Sequence, residues 1–484
     1  MISISWEKIV DNKKLLFLFA AVISCIVLFH RLGDSPLGGD DSYYSEVAKE
    51  MSITHDYMTP QYNHVKDFHT SKPPMLFWMN ALSGNIFSFN NFAMRLPSAL
   101  LGFIGVMSLM FFVNRYINFY SAFISALILT FTQQYLYHSR SAVTDGPFSV
   151  FFALALMSFW IAKAEKKIFF FYLMGLFAGL AVMTRQIPGL FVFAVILTYI
   201  AISRATDILK NPHFYFGIIL TFAIIMPWHI LMYLKHGNEF LMQYFNVAFM
   251  TAFKGYPVEY SGNPSLNPWY AYFQILINNY WPWLPFLAIG IYSFIKKYKQ
   301  HESAYKDFML FIFLWAFIPF LIFQIAKVKQ YHYINPLYFP FAVISAGVFN
   351  GFSKGAKIKA AKYFVVLTAV LAGIYTAYPV IPKTLDSREY IDTIKLVPQV
   401  REIKDDLIVL NEGFCHYDNC FMFYADKGVI VNSRQEMLEK IDSNTRYSFV
   451  LSKENFADIS KSVRQNNINI IKYSEKSVLF SNYK

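Results

Sequence analysis

Apolar segments long enough to cross a lipid bilayer recur along most of the chain, and this recurrence restricts the possible folds more than any other feature. A transmembrane helix needs about 20 apolar residues, and eleven segments approach that length. They cover roughly residues 15–31, 93–113, 119–137, 146–162, 168–183, 187–203, 213–233, 271–295, 307–325, 332–350 and 362–380. Only 15% of the residues are charged, whereas soluble domains carry about a quarter. The sequence therefore predicts an α-helical polytopic membrane protein with about eleven transmembrane helices.

The basic residues indicate how these helices are oriented. Lys8, Lys13 and Lys14 precede the first apolar segment, which is too long for a cleaved signal peptide and is predicted to be retained. With this end in the cytoplasm, the even-numbered loops also lie inside. Four of those five loops are basic, as the positive-inside rule requires. The net charge of +12 is therefore explained by topology, and nucleic-acid binding is not predicted.

Two predicted regions lie outside the membrane on the outer side. The first outward loop, about residues 33–92, contains "DSYYSEVAKEM", whose apolar residues share one helical face, and "PPMLFWMNALSGNIF". The first is predicted to form a helix that lies on the bilayer surface. The second is predicted to form another such helix, or a span too short to cross the membrane. The second region, residues 381–484, alternates five short β-like runs with helix-compatible segments, which predicts a small α/β domain. Residues 1–380 would then form the transmembrane domain. Cys415 and Cys420 in this second region could form a disulfide or remain free thiols.

Ionisable residues near the predicted outer membrane boundary indicate chemistry, because charges near bilayer depth are costly. Cations at an interface can hold a lipid phosphate, and a carboxylate can take a proton from an attacking hydroxyl. The sequence contains no Walker loop, HExxH or GxSxG motif. Group transfer from a lipid-phosphate donor fits this combination. A transporter or flippase remains an alternative, although no paired repeats are found, and a non-catalytic scaffold is a second one.

Five motifs occur in one order along the chain: "GDDSYYSEVAKEM", "SKPPMLFWMNALSGNIF", "MRLPSALLG", "TDGPFSVFFALAL" and "KVKQYHYINPLYFPFAVISA". Together they closely resemble the bacterial polyprenyl-phosphate-dependent glycosyltransferases of clan C. Within that clan they resemble the branch of lipid A aminoarabinose transferases and protein mannosyltransferase relatives. The resemblance implies inverting transfer of a sugar from an undecaprenyl-phosphate-type donor, at the outer face of a bacterial inner membrane. The acceptor that it favours is lipid A or another envelope glycan, with protein as the alternative.

The resemblance also implies roles for individual residues. Asp40 matches the essential carboxylate, and Asp145 matches a second acid, so both are candidate catalytic residues. The donor phosphate would be bound by the residues that match the two basic motifs, Lys72, Lys329 and Tyr333. Arg185 is added as a phosphate ligand because it ends a predicted outward helix. Further candidates are Asp41, Glu46 and His332.

Each assignment has a structural alternative. Asp40, Asp41 and Asp145 could cap the helices that they precede. Lys72 could extend to lipid headgroups, and Arg95 and Arg140 are expected to be interfacial anchors. Family members commonly carry a Glu before the lysine that matches Lys72, in a metal site. Ser71 stands there in this chain, so no metal ligand is assigned, and a divalent metal remains an open possibility.

Overall fold

The computed structural model describes residues 11–68, 72–249, 268–296, 298–300, 302–377, 392–410, 416–464 and 467–483. Each of the eleven predicted apolar segments overlaps helical structure within these ranges. The predicted helical membrane fold with a small C-terminal α/β domain is confirmed. The exact boundary between the two domains lies outside the described residues and stays a prediction.

The membrane domain is built from consecutive helices joined by short connections. Several begin at an asparagine whose side chain accepts hydrogen bonds from free backbone amides, as at Asn12, Asn90 and Asn118. Their bounds are Lys13–Phe29, Asn91–Tyr116, Phe119–Thr130, Gln133–Ser139, Asp145–Glu165, Phe169–Arg185, Phe191–Ser203, Pro212–Phe249, Ala271–Tyr280, Leu284–Lys296, Ser303–Ile325, Tyr338–Ala346 and Lys354–Ala377.

Among the described residues, five helices are long and apolar enough to cross a membrane by length and composition. The other predicted spans are shorter or interrupted. The predicted helix over 271–295 breaks at Trp281–Trp283, where Pro282 cannot donate a helical hydrogen bond. The span over 119–137 breaks at 131–132, and that over 332–350 begins with the 3-10 helix Tyr331–Leu337. The predicted positions were correct, but their continuity was not.

The membrane helices share one continuous buried cluster of aliphatic and aromatic side chains. Trp315, Tyr199 and Phe123 are among its fully buried members. Gly175 and Gly217 let two helices approach until a Cβ on Gly175 would collide with the Gly217 carbonyl. This packing holds the helix ends in a fixed arrangement, and the candidate site lies at one end.

The first loop contains the two expected helices, Asp40–Thr54 and Met75–Phe87, and a β-hairpin of β1 (Gln61–Tyr62) and β2 (Val65–Lys66). We call Asp40–Thr54 the acid-pair helix. Its apolar face packs against Met75–Phe87 in a separate buried cluster. Its polar face, including Glu46 and Lys49, is buried as well. Tertiary contacts therefore cover both faces of this helix, which its amphipathic pattern alone did not indicate.

The C-terminal domain covers one part of this loop. Its sheet has the order β4-β3-β5-β7-β6, with β3 parallel to β4 and β5, and β7 antiparallel to its neighbours. The strands are β3 (Asp406–Leu410), β4 (Val429–Asn432), β5 (Tyr447–Ser452), β6 (Asn469–Tyr473) and β7 (Ser477–Ser481). The helices are Val397–Glu402, His416–Ala425, Arg434–Ile441 and Lys453–Ile459. All five predicted β-like runs are strands. Cys420 is buried, and Cys415 lies outside the described residues.

Candidate active site

The two neighbouring carboxylates at the start of the acid-pair helix have different environments. Asp41 is buried, and its Oδ2 accepts hydrogen bonds from Nε and Nη2 of Arg95 at 2.9 and 2.7 Å. Its Oδ1 accepts the backbone N–H of Ala142. With these partners Asp41 has a structural role, joining the acid-pair helix to two other segments.

Arg95 was expected to be an interfacial anchor, but it is almost fully buried. Its remaining N–H groups donate to three backbone carbonyl oxygens of the turn before the acid pair, those of Leu32, Ser35 and Pro36. A guanidinium can make this many directed bonds because its donors form a rigid planar fork. Arg95 therefore fixes the turn that leads to the acid pair.

Asp40 is the first residue of the helix and follows Gly39, whose φ of 54° is a conformation that favours glycine. The capping alternative is not observed, because the N-cap is Gly39 and no side chain caps the helix. Among the described residues, no hydrogen bond to the Asp40 carboxylate is found, and its side chain is open to solvent. Surrounding protein still limits its hydration, and this raises the Asp40 pKa, although Lys72 and Arg185 oppose the shift. Asp40 therefore lies near two cations, and we call the space beside Asp40, Lys72 and Arg185 the recess.

Lys72 shares this recess. Loss of hydration and the positive charge of Arg185 lower the Lys72 pKa to about 8, while Asp40 and Asp67 act in the opposite direction. Asp67 is not a residue that sequence reasoning identified; its Oδ2 accepts a hydrogen bond from the Tyr43 hydroxyl. Lys72 lies near two carboxylates and a guanidinium. The structure therefore favours a role for Lys72 within this site over anchoring to lipid headgroups.

Arg185 interacts electrostatically with Asp40, Lys72 and His332, and we call these four residues the charged cluster. It ends the helix Phe169–Arg185 and forms an ion pair with the buried Asp145. Its guanidinium also lies over the Tyr333 ring, 5.0 Å from the ring centroid. Asp145 is the first residue of its helix and does not act as the N-cap, which is Thr144. The structure therefore pairs two predicted site residues, with Asp145 orienting Arg185.

The residue after Arg185 has an unusual backbone. Gln186 has φ 55° and ψ −139°, a region that a residue with a Cβ occupies only at a cost of roughly 1–3 kcal/mol. Its side chain lies close to Tyr244, in the helical segment Pro212–Phe249, which is kinked at Gly237. Such strain persists only where surrounding contacts fix the chain. No sequence signal marked Gln186, because only the folded backbone shows its conformation.

The last of the five motifs, "KVKQYHYINPLYFPFAVISA", contributes some residues to the charged cluster, while others lie away from it. Tyr333 lies beside Arg185, as described above. His332 interacts electrostatically with Arg185 and Lys72, and its ring centroid is 6.1 Å from that of His138. Lys329 is not brought to the cluster, because its Nζ donates to the Ala326 carbonyl at 2.9 Å and its electrostatic neighbour is Lys327. Phosphate binding by Lys329 stays a prediction.

Tyr44 is not among the predicted site residues, although it lies close to the charged cluster. The charges of Asp40 and Arg185 act on its hydroxyl, and the Thr144 side chain is nearby. Burial raises its pKa well above the usual value, so the hydroxyl stays a neutral hydrogen-bonding group. The letters "YSE" in the first motif, which begin at Tyr44, were the sequence signal that could have identified it.

Glu46 lies about one and a half helical turns after the acid pair, and its charged neighbours are Lys49, Glu50 and Asp426. Burial raises its pKa to about 7, Lys49 opposes this, and Glu50 and Asp426 add to it. Among the described residues its Oε2 has no hydrogen-bond partner. Ionisation of Glu46 therefore lowers the stability of the fold.

Glu46→Gln should raise the melting temperature at pH 8 and change it little at pH 4.5. Because the folded pKa is raised from 4.5 to about 7, ionisation destabilises the fold progressively as pH rises between these values, by up to about 3 kcal/mol. Thermal unfolding in detergent at both pH values measures this difference. The exposed Glu454→Gln serves as the control, and an equal shift at both pH values would contradict the prediction.

The described residues contain no group of three or more His, Cys, Asp or Glu side chains that could hold a metal ion. Of the acids near the recess, Asp145 is engaged by Arg185 and Asp41 by Arg95. Ser71 lies outside the described residues. The side chains present therefore do not make a convincing metal site, and no chemistry is assigned to a metal.

Comparisons with known proteins find relatives of this chain by sequence and by fold. Residues 71–231 match the family model described as dolichyl-phosphate-mannose-protein mannosyltransferase. A protein of Aquifex aeolicus is 28% identical over 76% of this chain and 72% of its own length. The undecaprenyl phosphate-alpha-4-amino-4-deoxy-L-arabinose arabinosyl transferase of Shewanella sediminis is 27% identical over 69% of this chain. The match spans 61% of the length of that transferase.

A solved structure matches nearly the whole fold. ArnT from Cupriavidus metallidurans, crystallised with undecaprenyl phosphate, has a TM-score of 0.75 at 15% identity, over 96% of this chain and 97% of that one. By sequence and by fold, the chain is similar to the clan C glycosyltransferases. Within that clan the similarity is to the aminoarabinose transferase and mannosyltransferase-like branch, as the sequence motifs predicted. Like ArnT, this chain is a multi-pass membrane protein.

Proposed function

We propose that this protein transfers a sugar from an undecaprenyl-phosphate-type lipid donor to an acceptor at the outer face of a bacterial inner membrane. The first candidate acceptor is lipid A or another envelope glycan. Named relatives that transfer aminoarabinose from undecaprenyl phosphate support the donor class. The basic even-numbered loops support a cytoplasmic N-terminus and an extracytoplasmic C-terminal domain.

The observation that carries the proposal is the recess in which the open carboxylate of Asp40 faces Lys72 and Arg185. A phosphate monoester or diester is attracted by two cations, and a lone carboxylate beside them is available for the acceptor. Tyr333 and Tyr44 provide hydroxyl groups at the edge of the same cluster.

The reaction exchanges one bond at the anomeric carbon. The acceptor oxygen attacks this carbon from the face opposite the phosphate, and the carbon–oxygen bond to the phosphate breaks with its electron pair. Lys72 and Arg185 stabilise the negative charge that develops on the departing polyprenyl phosphate. The attack from the opposite face inverts the anomeric configuration, as the family resemblance implies.

The acceptor decides what Asp40 must do. A hydroxyl of a glycan or a protein must lose its proton, and Asp40 can accept that proton. A lipid A phosphate is already anionic, so Asp40 would then orient the acceptor without removing a proton. The raised pKa of Asp40 suits a base better than an ordinary exposed carboxylate would.

Mass spectrometry of lipid A from a deletion strain and from complemented strains tests the donor and acceptor together. We expect one sugar-sized mass to vanish on deletion and to return with the intact protein, but not with Asp40→Ala. If lipid A is unchanged, the acceptor assignment fails and secreted proteins and surface glycans become the samples to analyse. If Asp40→Ala restores the mass fully at normal expression, the assigned role of Asp40 is wrong.

The pH dependence of donor use tests Lys72. Its pKa of about 8 means that it loses its charge above this pH, so kcat/KM for the donor should fall about tenfold per pH unit there. Lys72→Arg should remove this decline, because an arginine stays protonated. Initial rates from pH 6 to 9.5 measure the profile, with the exposed Lys66→Arg as a control. A parallel decline in Lys72→Arg would exclude Lys72 as its source.

A further inference from the structure

The C-terminal domain contacts the turn that precedes the acid pair through one tyrosine. Tyr424, on the helix His416–Ala425, accepts a hydrogen bond from the backbone N–H of Leu37 at 2.7 Å. The same hydroxyl donates to Oδ1 of Asn91 at 2.5 Å. A single hydroxyl therefore connects the C-terminal domain, the turn and the helix Asn91–Tyr116.

Asn91 extends this connection to the beginning of the turn. Its Nδ2 donates to the carbonyl oxygen of Gly33 at 3.1 Å. Tyr424 and Asn91 thus hold residues 33 and 37, and Asp40 follows only three residues after Leu37. Because Gly39 lacks a Cβ and has a positive φ, the turn needs outside contacts to keep one conformation. The tyrosine–asparagine pair supplies two of them.

Neighbouring contacts of the same helix reinforce the connection. Phe423 is buried in a small cluster with Leu37 and Ala142, whose backbone N–H binds Asp41. The Phe423 carbonyl accepts a hydrogen bond from Lys49 of the acid-pair helix at 2.6 Å, and Lys49 also pairs with Asp426. The C-terminal domain therefore contacts the acid-pair helix both before and after its catalytic end.

A third contact involves the hairpin of the first loop. The Asn63 side chain donates to the Val429 carbonyl at 3.0 Å and accepts the Val429 N–H at 3.3 Å. This pairing satisfies the edge strand β4 of the C-terminal sheet. Lys72 follows this hairpin by only six residues. The domain consequently contacts the segments on both sides of the recess.

We propose that the C-terminal domain is a positioning element of the active site, and that Tyr424 holds the Leu37–Asp41 turn so that the Asp40 carboxylate faces the recess. The catalytic part of this inference rests on the proposed transferase function. The hydroxyl of Tyr424 contacts the turn and Asn91, so Tyr424 acts through the turn. Its loss should slow the chemical step while leaving donor affinity nearly unchanged, because Lys72 and Arg185 are not displaced.

Tyr424→Phe in the full-length protein tests the kinetic part. We expect kcat to fall about tenfold or more, since small displacements of a reacting group are costly, and KM for the donor to stay within about twofold. Asn91→Ala breaks the same connection from the membrane domain and should act alike, and the double variant should be no slower than either single variant. The control is Tyr473→Phe, an exposed tyrosine on β6 of the same domain.

Hydrogen–deuterium exchange tests the structural part without any assay of catalysis. In Tyr424→Phe the amides of residues 37–41 should exchange at least about tenfold faster, while helices of the membrane domain keep their protection. Unchanged exchange at these amides overturns the proposal, whatever the kinetics show. Faster exchange with an unchanged kcat overturns the positioning role. If wild-type protein transfers no sugar, the proposed function fails, and the exchange result still decides whether the domain holds the turn.

Discussion

Asp40→Asn should reduce sugar transfer by about 10²–10⁴-fold while leaving the protein folded. The substitution keeps the size of the side chain but removes the charge that orients or deprotonates the acceptor. Asp40 is open to solvent, and no hydrogen bond to it is found among the described residues, so its loss removes little stabilisation. The measurements are transfer to acceptor with a purified lipid donor, and the melting temperature of the same sample.

Substitutions of two other acids in the same loop, Asp34 and Asp41, serve as comparisons for Asp40→Asn. Asp34→Asn changes an exposed acid of the same loop, which pairs with Arg31, and should leave transfer within about twofold of wild type. Asp41→Asn removes the charge that Arg95 binds, so it should lower stability as well as activity. An Asp40→Asn protein with wild-type transfer would refute the catalytic assignment. A strongly lowered melting temperature would show that Asp40 is structural.

Arg95→Ala should destabilise the fold by roughly 3–5 kcal/mol, because it leaves the buried Asp41 carboxylate without its charged partner. It also removes the donors that satisfy the carbonyl oxygens of Leu32 and Pro36. Arg95→Lys should recover only part of this loss, since a lysine cannot reproduce the guanidinium fork. Unfolding by heat and by denaturant in detergent micelles measures the effect.

The matched control is Arg31→Ala in the same loop. Arg31 pairs with Asp34, and both side chains are about half exposed, so its loss should cost less than about 1 kcal/mol. Comparing the two variants distinguishes the effect of the buried Arg95–Asp41 ion pair from that of the exposed Arg31–Asp34 pair. If Arg95→Ala and Arg31→Ala are equally stable, Arg95 does not fix the turn.

The positions of helices and strands could be predicted because each depends on local patterns. The eleven apolar segments all contain helical structure, and the helix "DSYYSEVAKEM" and the five short runs of the C-terminal domain form the expected elements. Apolar length and side-chain periodicity act over a few residues and are visible in the sequence. Breaks such as that at Trp281–Trp283 were less visible, because a proline within an apolar run can be accommodated or can end a helix.

The candidate site was only partly predictable. Asp40, Lys72 and Arg185 were identified from motifs and from position, and the structure places them in one cluster. Their individual roles remain predictions. Lys329 matched its motif equally well but is directed elsewhere, because a motif specifies the residue type and not the direction of the side chain.

The sequence by itself determined that this chain is a helical membrane protein that resembles the clan C glycosyltransferases, with an acid pair after its first helix and a small α/β domain at its end. The family resemblance favoured Asp40 over Asp41, but the sequence did not show what either carboxylate contacts. Only the tertiary structure separated the open carboxylate of Asp40 from Asp41, which Arg95 binds across 54 residues of sequence. The same holds for Tyr424, which reaches Leu37 from 387 residues away. Contacts between distant segments decide which groups are free for chemistry, and no local pattern contains them.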